Sequence, residues 1–133
     1  MEAKFKHLEF IQGVINRMGF NSFILKGWTI TLVAALFALA QKETNSVSMC
    51  LAYFPTVIFW LLDSYYLWQE RLFRKLYDKV RLMNESQIDF SMNTSVVAKE
   101  AGGMASVIIS RTIIPFYGII ILTILFIVYV STK

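Results

Sequence analysis

The chain has 133 residues, of which 56% are apolar and only 17% charged, and its formal net charge is +4. Ordinary globular chains run about 45–50% apolar and about 25% charged, so this balance excludes a disordered chain and points to lipid. A single cysteine, Cys50, excludes a disulfide scaffold or a cysteine zinc site, and a single histidine, His7, excludes a histidine-cluster metal site.

In chain order, the first apolar run is SFILKGWTITLVAALFALA, residues 22–40. The second is VSMCLAYFPTVIFWLLDSYYLW, residues 47–68, and the third is TIIPFYGIIILTILFIVYV, residues 112–130. A bilayer core takes about 20 helical residues, and each run has that length. Period-two alternation is absent, which argues against a membrane β-barrel. The expected fold class is therefore an all-α membrane protein with three spans in one membrane domain. Ala38-Leu39-Ala40 imitates a signal-peptidase site. A 40-residue leader containing its own patterned helix is too long for a signal peptide, so an uncleaved span is expected.

Orientation follows from the cations. With the N-terminus inside, Lys4, Lys6, Arg17, Lys26, Arg71, Arg74, Lys75, Lys79, Arg81, Lys99 and Arg111 lie on or near the cytoplasmic side, and only Lys42 and Lys133 lie outside. The expected topology is N-in, C-out. The outer parts are then the loop QKETNS and the tail STK.

The polar sequence is thus cytoplasmic. Over residues 4–19, Leu8, Ile11, Ile15 and Met18 recur at helical spacing, opposite Lys6, Glu9, Gln12, Gly13, Asn16 and Arg17. This pattern gives an amphipathic helix that either lies on the inner leaflet or packs into a cytoplasmic assembly. The second span continues inward without Gly or Pro over residues 69–83. Leu72, Phe73, Leu76, Tyr77, Val80 and Met83 form an apolar half that needs a partner. Arg71, Arg74, Lys75, Lys79 and Arg81 dominate the other half, which is either a solvated face that sets topology or an anion site. Residues 84–111 form a polar connector and then a helix feeding the third span, in which Gly102-Gly103 is either a close-packing patch or a hinge.

Lys26 and Asp63 are the ionisable groups inside the first two spans, at similar depth near their inner ends. Intramembrane charges face a partner or water, so these two are expected to pair, although Lys26 is also long enough to snorkel. In an oligomer, a ring of Asp63 would favour cations. The third span offers only Tyr117 and Thr123 and reads as lipid-facing or as a hydrophobic gate. No GxSxG, HExxH or P-loop pattern is present, so neither an enzyme nor a cofactor or metal site is expected. Three spans cannot enclose a pore alone, so a channel must be a closed homo-oligomer.

The segments KHLEFIQGVINRM, NSFILKGWTITLVAALFALA and AYFPTVIFWLLDSYYLWQERLFRKLYDKVR together resemble small membrane effectors of bacterial anti-phage defence, of the Hailong type. The likeness is clearest over residues 6–81 and rests on sequence pattern and layout, without a catalytic signature. It implies a homotetrameric ion channel in the bacterial inner membrane, encoded beside a nucleotidyltransferase. It further implies that the partner enzyme's product, a single-stranded oligodeoxyadenylate, holds the channel closed until infection removes that restraint and the membrane depolarises. The basic surface suits such a polyanion. Arg17, Arg71, Arg74, Lys75 and Arg81 are the candidate phosphate contacts, and Tyr77 and Phe73 either stack bases or pack as part of the apolar half. Three other readings stay open: an effector opened by a cyclic nucleotide, a non-conducting scaffold that recruits a partner through residues 68–83, and a holin-like toxin.

Overall fold

The computed structural model describes residues 1–43 and 50–133. The described chain is all helix and irregular connection. α1 runs Glu2–Glu43, α2 Tyr53–Leu82, α3 Ala98–Ala101, α4 Met104–Ile108 and α5 Ile114–Ser131, with 3-10 turns at Glu85–Gln87 and Thr94–Val97. Residues 44–49, which include much of the expected outer loop and the start of the second run, lie outside the described residues.

The amphipathic segment 4–19 and the first apolar run are one uninterrupted helix. α1 has 42 residues, and at about 1.5 Å each it extends for roughly 63 Å. Gly13, Gly19 and Gly27 do not break it. α2 lies antiparallel along it. Lys4 Nζ donates to the carbonyls of Arg81 and Met83 at 2.9 and 2.8 Å, using the carbonyls that a helix C-terminus leaves free. Further along, Ile11 and Ile15 pack with Leu76, Val80 and Val97. At the far end Val33 meets Ala52 and Ile124. The buried residues of α1, from His7 through Ile11, Ile15, Ser22, Thr29, Val33 and Ala40, recur at steps of four and seven. That spacing keeps one face of the helix turned towards its neighbours along its length.

The partner of the apolar half of residues 69–83 is therefore α1, with the connector laid over both. Ile88, Met92 and Val97 close the core of this charged end of the helix pair, the stalk, made by α1 up to about Arg17 and α2 from about Gln69. Within the connector, Phe90 adopts φ 58°, uncommon for a bulky residue, and its ring meets the buried His7 edge-on at 5.5 Å.

The helix expected to feed the third span is broken in two. Gly102, at φ 78° and ψ 175°, separates α3 from α4. A side chain at this conformation is strained, so glycine permits the break. Two indoles pin the broken segment to α2: Trp68 Nε1 donates to Gly102 O at 3.0 Å and Trp60 Nε1 to Ile108 O at 3.1 Å. α5 then starts with Pro115 in its first turn, where the missing N–H costs nothing.

Among the described residues, two helices are long and apolar enough to cross a membrane, α1 over Glu2–Ala40 and α5 over Ile114–Ser131. Little of either apolar stretch is buried within the chain, and Phe23, Trp28, Leu39, Leu122 and Phe126 are more than half exposed. That surface needs lipid or another protein. α2 does not reach the same length of apolar sequence among the described residues, because Asp63 and Ser64 interrupt it after Leu62. Within the apolar stretches Thr29, Thr56, Ser64 and Thr123 each donate to the carbonyl four residues back.

Candidate functional site

A carboxylate lies where α1, α2 and α5 meet. Asp63, on α2, is completely buried. α1 places Ser22 and Lys26 one turn apart on the face towards it. Lys26 Nζ lies 2.5 Å from Asp63 Oδ2, Ser22 Oγ donates to Asp63 Oδ1, and Lys26 also donates to Ser22 Oγ at 2.9 Å. α5 supplies Tyr117, whose Oη donates to Asp63 Oδ2 at 2.9 Å and also lies 3.3 Å from Phe59 O.

The aromatic packing explains why Tyr117 stays there. Its ring stacks on Trp60, with centroids 5.9 Å apart and planes 2° from parallel. Phe116 packs edge-on beside it at 4.9 Å, and the Lys26 ammonium sits 5.8 Å from the Phe116 ring centre. A buried ion pair is tolerated only when its remaining polar valences are filled. Here Ser22 and Tyr117 fill them. The Lys26 side chain keeps 22% exposure while Asp63 has none, so the cation is the end of the pair that reaches outward.

Two of these groups went unread in the sequence. Tyr117, named in the sequence only as one of the polar residues of the third run, is buried on Asp63, while most of that run stays exposed. Ser22 is the other. Its signal was legible, because Ser22 and Lys26 are four residues apart on one helix. Tyr117 carried only a weak signal, a hydroxyl near the start of the third run, which antiparallel packing brings beside the end of the second.

The five candidate phosphate contacts are spread over the stalk. Arg17 is exposed on α1. On α2, Lys75 is exposed and Arg71 half-buried. Arg74 Nη2 pairs with Glu70 at 2.7 Å, and Arg81 Nε lies 3.2 Å from Asp78. Arg74, Tyr77 and Asp78 border an open hollow of about 270 Å³ with Gln12 and Ile15. Lys79 lies on the opposite flank, beside Asp89, Ser91 and Asn93. The stalk is thus a basic surface tempered by its own carboxylates, with no single pocket collecting all five cations. Phe73 and Tyr77 pack partly against the stalk core. No group of His, Cys, Asp and Glu suited to a metal ion occurs among the described residues.

Comparison of the chain with protein-family models, with characterised proteins and with solved structures finds no match. What the site does is therefore argued from its own geometry.

Proposed function

We propose that the chain is the channel-forming membrane effector of a bacterial anti-phage system, a homo-oligomer in the inner membrane regulated by a polyanionic nucleotide ligand on its basic stalk. The observation that carries this reading is the position of Asp63. One carboxylate ties α1, α2 and α5 together, and the helix that bears it continues directly into the basic stalk. A ligand that shifts the stalk has a rigid path to the junction.

The three-span, N-in, C-out topology belongs to the same reading. The start of α2 lies beside the apolar half of α1, with Ala52 packed near Val33. If α1 crosses the bilayer there, this part of α2 lies at the same depth. The cations then fall inside. The Hailong resemblance supplies the tetramer and the sign of regulation: a single-stranded oligodeoxyadenylate, made by a partner nucleotidyltransferase, keeps the pore shut. In this reading the arrangement with Asp63 withdrawn is the closed one.

A non-conducting scaffold is the second reading, and the saturation of Asp63 favours it. A carboxylate with three partners and no exposure offers nothing to a passing ion. Potassium efflux from proteoliposomes separates the two. The channel reading expects efflux that falls when single-stranded oligodeoxyadenylate is added on the stalk side, but not when duplex DNA is added. Efflux that rises with a cyclic nucleotide moves the sign of regulation. No efflux under any of these conditions leaves the scaffold.

A further inference from the structure

We propose that the outer face of α1 is a parallel self-association seam, Phe10, Gly13, Arg17, Phe20, Ile24, Gly27 and Thr31, occupied by the same face of a second copy of this chain. The proposal rests on the homo-oligomer reading above and assigns the surface that builds it.

The first observation is the spacing. These positions follow one another at steps of three and four, the period of a left-handed coiled-coil seam. The opposite face of α1 is the one that packs on α2, so this face is left free for a second seam. All of the outer-seam residues are exposed in the single chain, Phe10 at 63% and Phe20 at 62%.

The second observation concerns what is able to cover them. Phe10 lies in the charged stalk, between Lys6, Glu9 and Arg17 in sequence, where lipid tails do not reach. Ile24, Gly27 and Thr31 lie in the apolar stretch, where water does not. One occupant must therefore cover the face on both sides of that boundary with a matching period. A second α1 has that length, that boundary and that period. Copies inserted under the same charge rule share one orientation, so they meet in parallel.

The third is self-complementarity. Phe23, Ile24, Gly27, Trp28 and Thr31 surround an open hollow of about 350 Å³. Gly27 forms its floor because it has no side chain, and Phe20 and Ile24 on a neighbouring copy are knobs of a size to enter it. In a parallel seam, a flanking residue faces the one five positions on in its neighbour. Asn16 then faces Asn21 and Phe23 faces Trp28, so amide meets amide and ring meets ring. Arg17 is the one charge in the seam. It sets register, and its repulsion from its own copies weakens the pairing.

The test uses the full chain with Cys50→Ser, in mild detergent and in nanodiscs. Single cysteines at Phe10, Gly13, Phe20 and Ile24 are compared with Gln12 and Ile30, which are exposed but lie off the seam. Cross-linking between copies is expected at the seam positions and not at the controls. Gly27→Leu reads the seam without disturbing the chain itself, because nothing lies within 4 Å of an added Cβ there. It is expected to shift the native mass from oligomer to monomer, and Arg17→Leu to shift it the other way. An oligomer that cross-links only at the control positions, or that ignores Gly27→Leu, overturns this seam and leaves the homo-oligomer reading standing. A monomer in both environments overturns both.

Discussion

Tyr117 Oη and Lys26 Nζ reach the same oxygen of Asp63, at 2.9 and 2.5 Å, from helices more than 70 residues apart in the chain. The last helix is thereby tied to the first through a carboxylate on the second. Any motion that separates α5 from α1 must break one of these contacts or carry Asp63 with it.

Breaking the ion pair from one side leaves the other charge buried, at a cost of about 3–5 kcal/mol. Asp63→Leu and Lys26→Met are each expected to lower the thermal unfolding midpoint in detergent, Asp63→Leu directly stranding Lys26 beside Ser22. The double variant Lys26→Met/Asp63→Leu removes both charges and is expected to recover much of that loss. The exchange Lys26→Asp/Asp63→Lys is expected to restore assembly in part. Loss from the double variants equal to the sum of the single losses would show that the two residues are not coupled.

Tyr117→Phe keeps the ring stacked on Trp60 and removes only the hydroxyl. A hydrogen bond to a charged acceptor is worth about 1.5–3 kcal/mol, so a destabilisation in that range is expected from chemical or thermal unfolding. Thr123→Val is the control on the same helix, because the Thr123 hydroxyl turns back to the Ile119 carbonyl. Equal effects from the two variants would contradict a specific role for the Tyr117–Asp63 bond.

The stalk is tested by salt. Single-stranded nucleic acid that neutralises stalk cations loses affinity with a log–log salt slope of about 0.7 per cation. Arg71→Gln and Lys75→Gln are each expected to lower the slope by about that amount in fluorescence anisotropy. Arg74→Gln and Arg81→Gln are expected to act more weakly, because each guanidinium is already shared with Glu70 or Asp78. A slope unchanged in all four variants would place the ligand elsewhere.

Gly102 and Gly103 are neighbours with opposite expectations. Gly102 sits at φ 78°, where a side chain is strained by about 1–3 kcal/mol. Gly103 has open space around an added Cβ and an extended backbone. Gly102→Ala is expected to loosen the α3–α4 segment from Trp68 and Trp60, read as faster proteolysis around residues 98–110. Gly103→Ala is expected to leave the pattern unchanged. The reverse order would show that the bend is made elsewhere.

Much of this architecture was legible in single residues. The period of Leu8, Ile11 and Ile15 and the unbroken run to Met83 marked the two halves of the stalk core, because burial on one face of a helix leaves a sequence period. The depth of Lys26 and Asp63 followed from counting residues inward from the ends of two antiparallel runs. The long-range partners were harder to read. Nothing local distinguishes Tyr117 from an outward-facing tyrosine, since its hydroxyl finds Asp63 only through the packing of α5 on α2. The break at Gly102 was visible as two readings, close packing or hinge, and the positive φ with two indole hydrogen bonds from α2 selects the bend. The continuity of α1 was also not evident, because the change from charged to apolar composition near Phe20 resembles a boundary between elements while the backbone has no reason to stop there.

The most direct test of the central claim is single-channel recording in a planar bilayer, with single-stranded oligodeoxyadenylate added on the stalk side, for the wild-type chain and for the folded Lys26→Met/Asp63→Leu variant. The expected result is unitary current from the wild-type chain that the oligonucleotide suppresses, and current from the variant that no longer answers to it. A wild-type chain that inserts, assembles and stays silent, with or without the oligonucleotide, would contradict the channel.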